Sequence, residues 1–406
     1  MKSYDQTFKS HIQRIQDENR YREFVTLSRF VGNLPYAVWH HDQSETDVVV
    51  WCTNDYLGMS HHPHVIQALK SAALNYGAGS GGTRNISGTT FPHVLLENQM
   101  ARLHKKESAL LFGSGYAANE GTLSALARAF DNLIIFSDEK NHASQIQGIR
   151  NGGAERKIFP HNDMDALEQM LKDQPYDRPK LVVVVSVYSM LGDFAPLQTL
   201  CDLCERYNAL LYVDEVHAVG LYGEDGSGRV AQLGLTDRVD IIQGNFAKGY
   251  GVIGGYIAAK ADLVDYIRLT ASAFIFTTSL PPAICMAALA SVQYLETHPH
   301  ERAVFWQKVT LLKNTLDQYR IPYHKNDGHI VPIIIGDAKK CRSVCFELLH
   351  DYYIYTQPIN YPTVAVGSEM IRLVVTPYHT DQMIVDLCKA LSHILHKDLD
   401  AYFHVA

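Results

Sequence analysis

No apolar run in this chain approaches membrane-spanning length. The longest strand-like stretch, LVVVV at 181–185, falls far short of the ~20 residues that a helix needs to cross a bilayer, so no transmembrane segment is expected. The opening MKSYDQTFKSHIQRIQDENRYREF lacks both the apolar core of a signal peptide and the acid-poor bias of a transit peptide, which makes the cytoplasm the expected location. Basic excess is missing too. With 36 Lys and Arg against 43 Asp and Glu, the net charge is −7, which speaks against a generic binder of nucleic acid or anionic membrane; any anion site must be built locally. Cysteine is sparse, and its odd count of seven without a signal peptide suggests reduced thiols. Cys201 and Cys204 have CxxC spacing, but the surrounding PLQTLCDLCERYNALL reads as a helix with no second Cys or His pair, so neither a zinc site nor a redox turn is expected. Internal repeats and low-complexity linkers are also lacking.

What is present is enough apolar sequence, 47% of 406 residues, for one large domain and a smaller one. Residues 1–50 read as an amphipathic helix and a strand-like lead-in. From 51 to 294, strand-like SALLFGSGY, LIIFSDE, KLVVVVSVYS, ALLYVDEV, VDIIQGNFA and VIGGYIAA alternate with helical stretches such as NDMDALEQMLKD. Near-continuous apolar strands between helices predict an α/β fold with a mainly parallel sheet buried on both faces. From 295 to 406, a long helix over 299–319, then HIVPIIIG, YYIYTQPINYPTV and IRLVVTP, predict a small α+β domain.

In a parallel sheet, ligands gather beyond the carboxyl ends of the strands. Ser114, Ser189, Asp214, His217 and Lys248 all fall at or just past such ends. Lys248, in DIIQGNFAKGYGVIGGY, has glycines on both sides that would let a flat ring lie against the backbone. A lysine that can form an imine and an aspartate that can pair with a pyridinium nitrogen are the two groups a pyridoxal 5′-phosphate site needs most. Gly113-Ser114-Gly115-Tyr116 opens a helix, where backbone N–H groups and a hydroxyl can hold a phosphate.

The segments WCTNDYLGM, GAGSGGTRNISGT, SDEKNHASQIQGIR, VDEVHAVGLYG, FIFTTSLPP and QPINYPTV resemble the α-oxoamine synthases, fold-type I pyridoxal phosphate enzymes. The likeness runs from about Tyr4 to about residue 395. NISGT and RYREF are more similar to the members that join glycine to succinyl-CoA, opening tetrapyrrole synthesis, than to those of threonine breakdown, biotin or sphingolipid synthesis. The resemblance implies a seven-stranded, mainly parallel sheet and a homodimer with shared active sites. It implies that Lys248 holds the cofactor and then acts as base, that Asp214 keeps the pyridine nitrogen protonated, and that His217 and Ser189 reach the ring's phenolic oxygen. His142 would stack on the ring and polarise the incoming carbonyl, Ser114, Gly115 and Tyr116 would hold the phosphate, and Thr277 and Thr278 would reach it from the neighbouring subunit. Arg372 would clamp the amino-acid carboxylate with Asn54 beside it, a task suited to a planar bidentate donor. Arg22, Thr83, Asn85 and Ile86 would line the pocket for the acyl chain's distal carboxylate.

The chain also departs from the family pattern. Asn245 stands where a Thr usually contacts the phosphate, Val185 and Leu191 replace two acidic residues, Val366 and Met370 replace two arginines, and Ala273 replaces a glycine. These changes leave open another acyl-CoA or amino acid, and a non-catalytic dimeric partner that kept the fold. No Cys-Pro dipeptide occurs, so the short haem-regulatory motif is missing.

Overall fold

A computed structural model describes residues 4–403, with side chains described as far as His396. The strands in chain order are β1 (Thr26–Ser28), β2 (Tyr36–His41), β3 (Ser44–Val50), β4 (Ser108–Phe112), β5 (Ile134–Asp138), β6 (Glu155–Phe159), β7 (Lys180–Val185), β8 (Leu210–Asp214), β9 (Ile241–Asn245), β10 (Gly255–Ala259), β11 (Val331–Ile334), β12 (Ile354–Tyr355), β13 (Pro358–Ile359) and β14 (Met370–Leu373). The chain divides into two compact units.

The larger unit spans Asn54–Ser189 and Asp193–Arg302. Its sheet has seven strands in the order β4-β10-β9-β8-β7-β5-β6, all parallel except β10, which runs antiparallel to both neighbours. The apolar runs of the sequence follow from burial on both faces. Val182 and Val184 of β7 join one core cluster with Leu211 and Val213 of β8, while Leu181 and Val183 join the other with Tyr212. Alternate residues thus feed opposite cores, and the polar residues of these two strands, Lys180 and Asp214, fall at their ends. The edge strand β6, ERKIF, is not among the strands predicted from the sequence. Most of its positions are exposed, so it carries charge where the central strands carry valine.

The smaller unit takes the described residues up to Thr53, Met190–Gly192 and the described residues from Ala303. The N-terminal segment, read from sequence as a separate lead-in, therefore belongs with the C-terminal residues. The reason is pairing: β12 adds in parallel to β3, with Ile354 opposite Val49 and Tyr355 opposite Val50, completing a sheet β1-β2-β3-β12. Fully buried His379 takes the backbone N–H of Thr376 on Nδ1 (2.9 Å) and meets the Val50 carbonyl through Nε2 (3.1 Å). A second sheet, β11-β14-β13, completes this unit together with the helix Ala338–Tyr352.

Cys201 and Cys204 are buried on the helix Leu197–Arg206. Burial pushes the Cys201 thiol up to about 11 and that of Cys204 well above the ordinary value, so both are packing residues. Among the described residues no helix is long and apolar enough to cross a membrane, and no cluster of His, Cys, Asp or Glu is arranged to hold a metal.

Candidate active site

The carboxyl ends of β4, β5, β7, β8 and β9 converge on one cleft in the larger unit. Gly115, Tyr116, His142, Ser189, Asp214, His217, Asn245 and Lys248 all contribute to its lining. The groups singled out from the sequence for cofactor binding are thus brought together, with Ser114, Thr277 and Thr278 outside the lining.

Asp214 ends β8 and is only 3% exposed. Its Oδ1 accepts the Val216 N–H (2.9 Å) and its Oδ2 accepts Nδ2 of Asn119 (2.8 Å). Burial pushes its carboxyl up, against the pull of those two hydrogen bonds, of Lys248 and of His142 in its protonated form. A cation placed against this carboxylate would offset the cost of burying it.

His142 caps the helix Ala143–Gly152, its Nδ1 accepting the Ser144 N–H (3.2 Å). Burial lowers its affinity for a proton, which keeps a neutral ring at the cleft. The ring of Tyr116 stands edge-on to it, with centroids 6.5 Å apart. His217, three residues past Asp214, has its Nδ1 held 2.7 Å from the hydroxyl of buried Tyr56.

Ser114 caps the helix Gly115–Ala129, accepting the Ala117 N–H at 3.1 Å. The first N–H groups of that helix have no intrahelical acceptor. Asn245 closes the same corner: a Cβ on Gly115 would stand 3.1 Å from Asn245 Cβ, and buried Asn245 Oδ1 has no hydrogen-bond partner. Lys248 sits in a turn closed by the Gly251 N–H to its carbonyl. A Cβ on Gly249 would come within 2.3 Å of the Val219 carbonyl, so glycine there is what lets the lysine turn lie against the turn that follows Asp214 and His217.

Ser189 follows the short bridge between Val187 and Phe194. His161 secures that bridge, joining Asp138 at the end of β5 (Nδ1 to Oδ1, 3.0 Å) to Asp193 (Nε2 to Oδ2, 3.5 Å). Burial opposes its charge, but the two carboxylates overcome it and raise the imidazole to about 9.

Thr277 and Thr278 are exposed and line a separate small cleft with Arg84 and Phe274, where Thr278 bridges Thr83. Asn85 accepts from the Thr83 hydroxyl at 2.7 Å, and Ile86 is 80% exposed. Arg84 holds this segment in place through a bidentate pair with buried Glu97 (2.8 and 2.9 Å). Asn54 is exposed at the start of the larger unit. In the smaller unit Arg22 is exposed and donates to the Thr363 hydroxyl (2.8 Å), while Arg372 is buried on β14 opposite Pro332.

Sequence reasoning missed Tyr56, Arg84, Asn119 and His161. Tyr56 and Arg84 lie inside motifs that carry the family resemblance, which is the signal that could have marked them. Asn119 and His161 lie in a helix and a loop with no local cue. Among the departures, Val185 pairs in register with Asp214 and lines the cleft, whereas Val366 is exposed and Met370 buried in the small sheet. Ala273 has a packing counterpart: a Cβ on Gly121 would stand 3.0 Å from its methyl.

The chain matches the family model for aminotransferase class I and II over residues 46–391. It is 49% identical to 5-aminolevulinate synthase of Bradyrhizobium diazoefficiens, covering 96% of each chain, and 50% identical to that of Rickettsia bellii, covering 97% of this chain and 94% of the relative. The chain belongs to the 5-aminolevulinate synthase family. Among solved structures it is similar to serine palmitoyltransferase of Sphingomonas wittichii (TM-score 0.88, 28% identity, 96% of each chain). It is also similar to a serine palmitoyltransferase variant from S. paucimobilis bound to pyridoxal phosphate and myriocin (TM-score 0.87, 28% identity, 97% and 98%). As a 5-aminolevulinate synthase family member the chain is a pyridoxal phosphate-dependent acyltransferase of fold-type I. The cleft fits that cofactor: a helix N-terminus at Gly115 for a phosphate, a buried carboxylate that favours an adjacent cation, an amine, and a neutral imidazole.

Proposed function

We propose that this chain condenses glycine with succinyl-CoA to give 5-aminolevulinate, coenzyme A and carbon dioxide, the first step of haem synthesis. The observation that carries this reading is the convergence of Lys248, Asp214, His142 and His217 on one cleft beside the helix N-terminus at Gly115, in a chain half identical to curated 5-aminolevulinate synthases. When bound, pyridoxal phosphate supplies an electron sink for the negative charge developed at the glycine α-carbon.

The chain's own residues divide the remaining work. Ser114 and the N–H groups of Gly115 and Tyr116 hold the phosphate, with Asn245 beside them. Asp214 keeps a proton on the ring nitrogen. His217, with Nδ1 engaged by Tyr56, would hold the phenolic oxygen together with Ser189. His142 covers the ring face and polarises the thioester carbonyl. The Lys248 amine would hold the cofactor and would serve as the base that removes the glycine α-proton and later returns one. Arg372 and Asn54 bind the glycine carboxylate, and Arg22, Thr83, Asn85 and Ile86 bind the succinyl carboxylate. These last six assignments rest on the likeness of their motifs. Thr277 and Thr278, exposed and outside the cleft of their own chain, serve the phosphate of a second copy in a homodimer with shared sites. The expected setting is the cytoplasm.

A second reading, another acyl-CoA or amino acid, draws its support from Asn245 and Val185 in the cleft lining. One experiment separates the two. The absorbance spectrum is recorded on the purified protein, then with glycine, then with succinyl-CoA, and 5-aminolevulinate is assayed at the end. A visible cofactor band that shifts with glycine and yields product establishes the first reading. A band with no product moves the choice to the second, and no band at all overturns both.

A further inference from the structure

Asn119 lies on the helix Gly115–Ala129 and is 2% exposed. Both hydrogens of its amide are committed, and its oxygen is engaged. One Nδ2 hydrogen goes to Asp214 Oδ2 (2.8 Å) and the other to Ser144 Oγ (3.0 Å), while Oδ1 accepts the hydroxyl of Tyr212 (2.7 Å). The orientation is forced. Turned over, the amide would set its oxygen against the Asp214 carboxylate, acceptor to acceptor, and leave Tyr212, fully buried on β8, with no acceptor for its one proton.

The order of protons then continues outward. Ser144 Oγ accepts from Asn119, so its own hydrogen is free to point at His142 Nδ1, 2.8 Å away, where the Ser144 backbone N–H also points. Two donors on Nδ1 make it an acceptor and place the imidazole proton on Nε2. Tyr212, Asn119, Ser144 and His142 thus form one directed chain, with Asp214 as its branch. All but His142 are fully buried, so water does not substitute for a missing member. An amide with a merely structural role would satisfy Tyr212 and Asp214; the second Nδ2 hydrogen ties the carboxylate to a histidine carried by a different helix.

We infer that Asn119 is a positioning residue: through one amide it fixes both the Asp214 carboxylate and, by way of Ser144, the tautomer of His142. The inference rests on the proposed function, in that these two groups face the cofactor ring. The titratable groups acting on Asp214 are Lys248 and, when protonated, His142, and the Asn119 bond works with them and with the Val216 N–H to lower its pKa against the effect of burial. Without it, Asp214 takes up a proton more readily and loses the charge that holds a ring-nitrogen proton.

The test compares wild type, Asn119→Leu and Tyr212→Phe as full-length holoenzymes. The readouts are the dissociation constant for pyridoxal phosphate and the pH midpoint of the bound cofactor's visible band. Asn119→Leu should weaken cofactor binding by about tenfold or more, the scale of a hydrogen bond to a charged group, and displace the midpoint. Tyr212→Phe, which keeps the amide but removes the proton that orients it, should move both in the same direction by less. A packing defect alone would lower the melting temperature and leave the midpoint in place. Both variants folded, with affinity and midpoint as in wild type, would overturn the inference. If Asn119→Leu does not fold, Tyr212→Phe decides on the same two readouts. A wild type that binds no pyridoxal phosphate would instead sink the functional reading itself, before any variant is compared.

Discussion

The hydroxyl of Tyr56 and Nδ1 of His217 lie 2.7 Å apart, both buried, across 161 residues of sequence. A histidine with one ring nitrogen engaged in this way has a fixed ring plane, so the direction of its other nitrogen is fixed with it. The tyrosine comes from the segment after Thr53, the histidine from the turn after β8, and nothing in their separate neighbourhoods predicts the meeting.

Tyr56→Phe should therefore loosen His217 without opening a cavity. We expect a loss of about 1–2 kcal/mol in cofactor affinity, about tenfold in the dissociation constant, with little change in thermal stability. Titration of the protein with pyridoxal phosphate, followed by absorbance, checks it; unchanged affinity would show that Tyr56 has no part in setting His217.

Lys248→Ala should leave the fold intact, because the turn at 248 is held by backbone contacts and by the close approach of Gly249 to Val219. Turnover should fall by at least about a hundredfold, the usual scale for loss of a positioned proton-transfer group. A steady-state assay of 5-aminolevulinate formation reads this, and a variant retaining more than a tenth of wild-type kcat would remove the lysine from its assigned role.

Arg84 and Glu97 form a bidentate pair that is almost fully buried, with the guanidinium also over the Phe274 ring at 5.4 Å. Arg84→Gln strands a buried carboxylate, and we expect a loss of about 3 kcal/mol. Urea denaturation of the two proteins measures it. Arg84→Lys should recover only part, since an ammonium cannot reproduce the two-pronged contact.

His161 is held at about 9, against an ordinary value of 6.5, by Asp138 and Asp193 once their attraction has overcome the effect of burial. A folded-state value above the unfolded one means that its stabilising contribution is complete below 6.5 and is lost as the pH rises through about 9. Wild type should lose stability over that window, and His161→Gln should be less stable at neutral pH with a flatter profile above it. Urea midpoints measured across the window decide; parallel profiles would show that the Asp138–His161–Asp193 bridge contributes nothing.

The larger unit was legible because its strands are buried on both faces. LVVVV, LLYVD and DIIQGN announce themselves as apolar runs, and the residues just past their ends line one cleft. Strand β6 was not legible, because an edge strand such as ERKIF exposes most of its positions. The pairing of the N-terminal segment was not legible because its partner strand, β12, lies some 300 residues away and is two residues long.

The sequence by itself determined the parallel sheet, the places where Lys248, Asp214 and Ser114 leave it, and the family, since each depends on local pattern or on motifs read in order. Only the tertiary structure decided what holds those groups. Tyr56 behind His217, Asn119 between Asp214 and Ser144, His161 between two aspartates and Arg84 on Glu97 are pairings across 13 to 161 residues. A buried polar side chain takes whichever partner the packed fold brings within about 3 Å, and that proximity does not exist until the chain has folded.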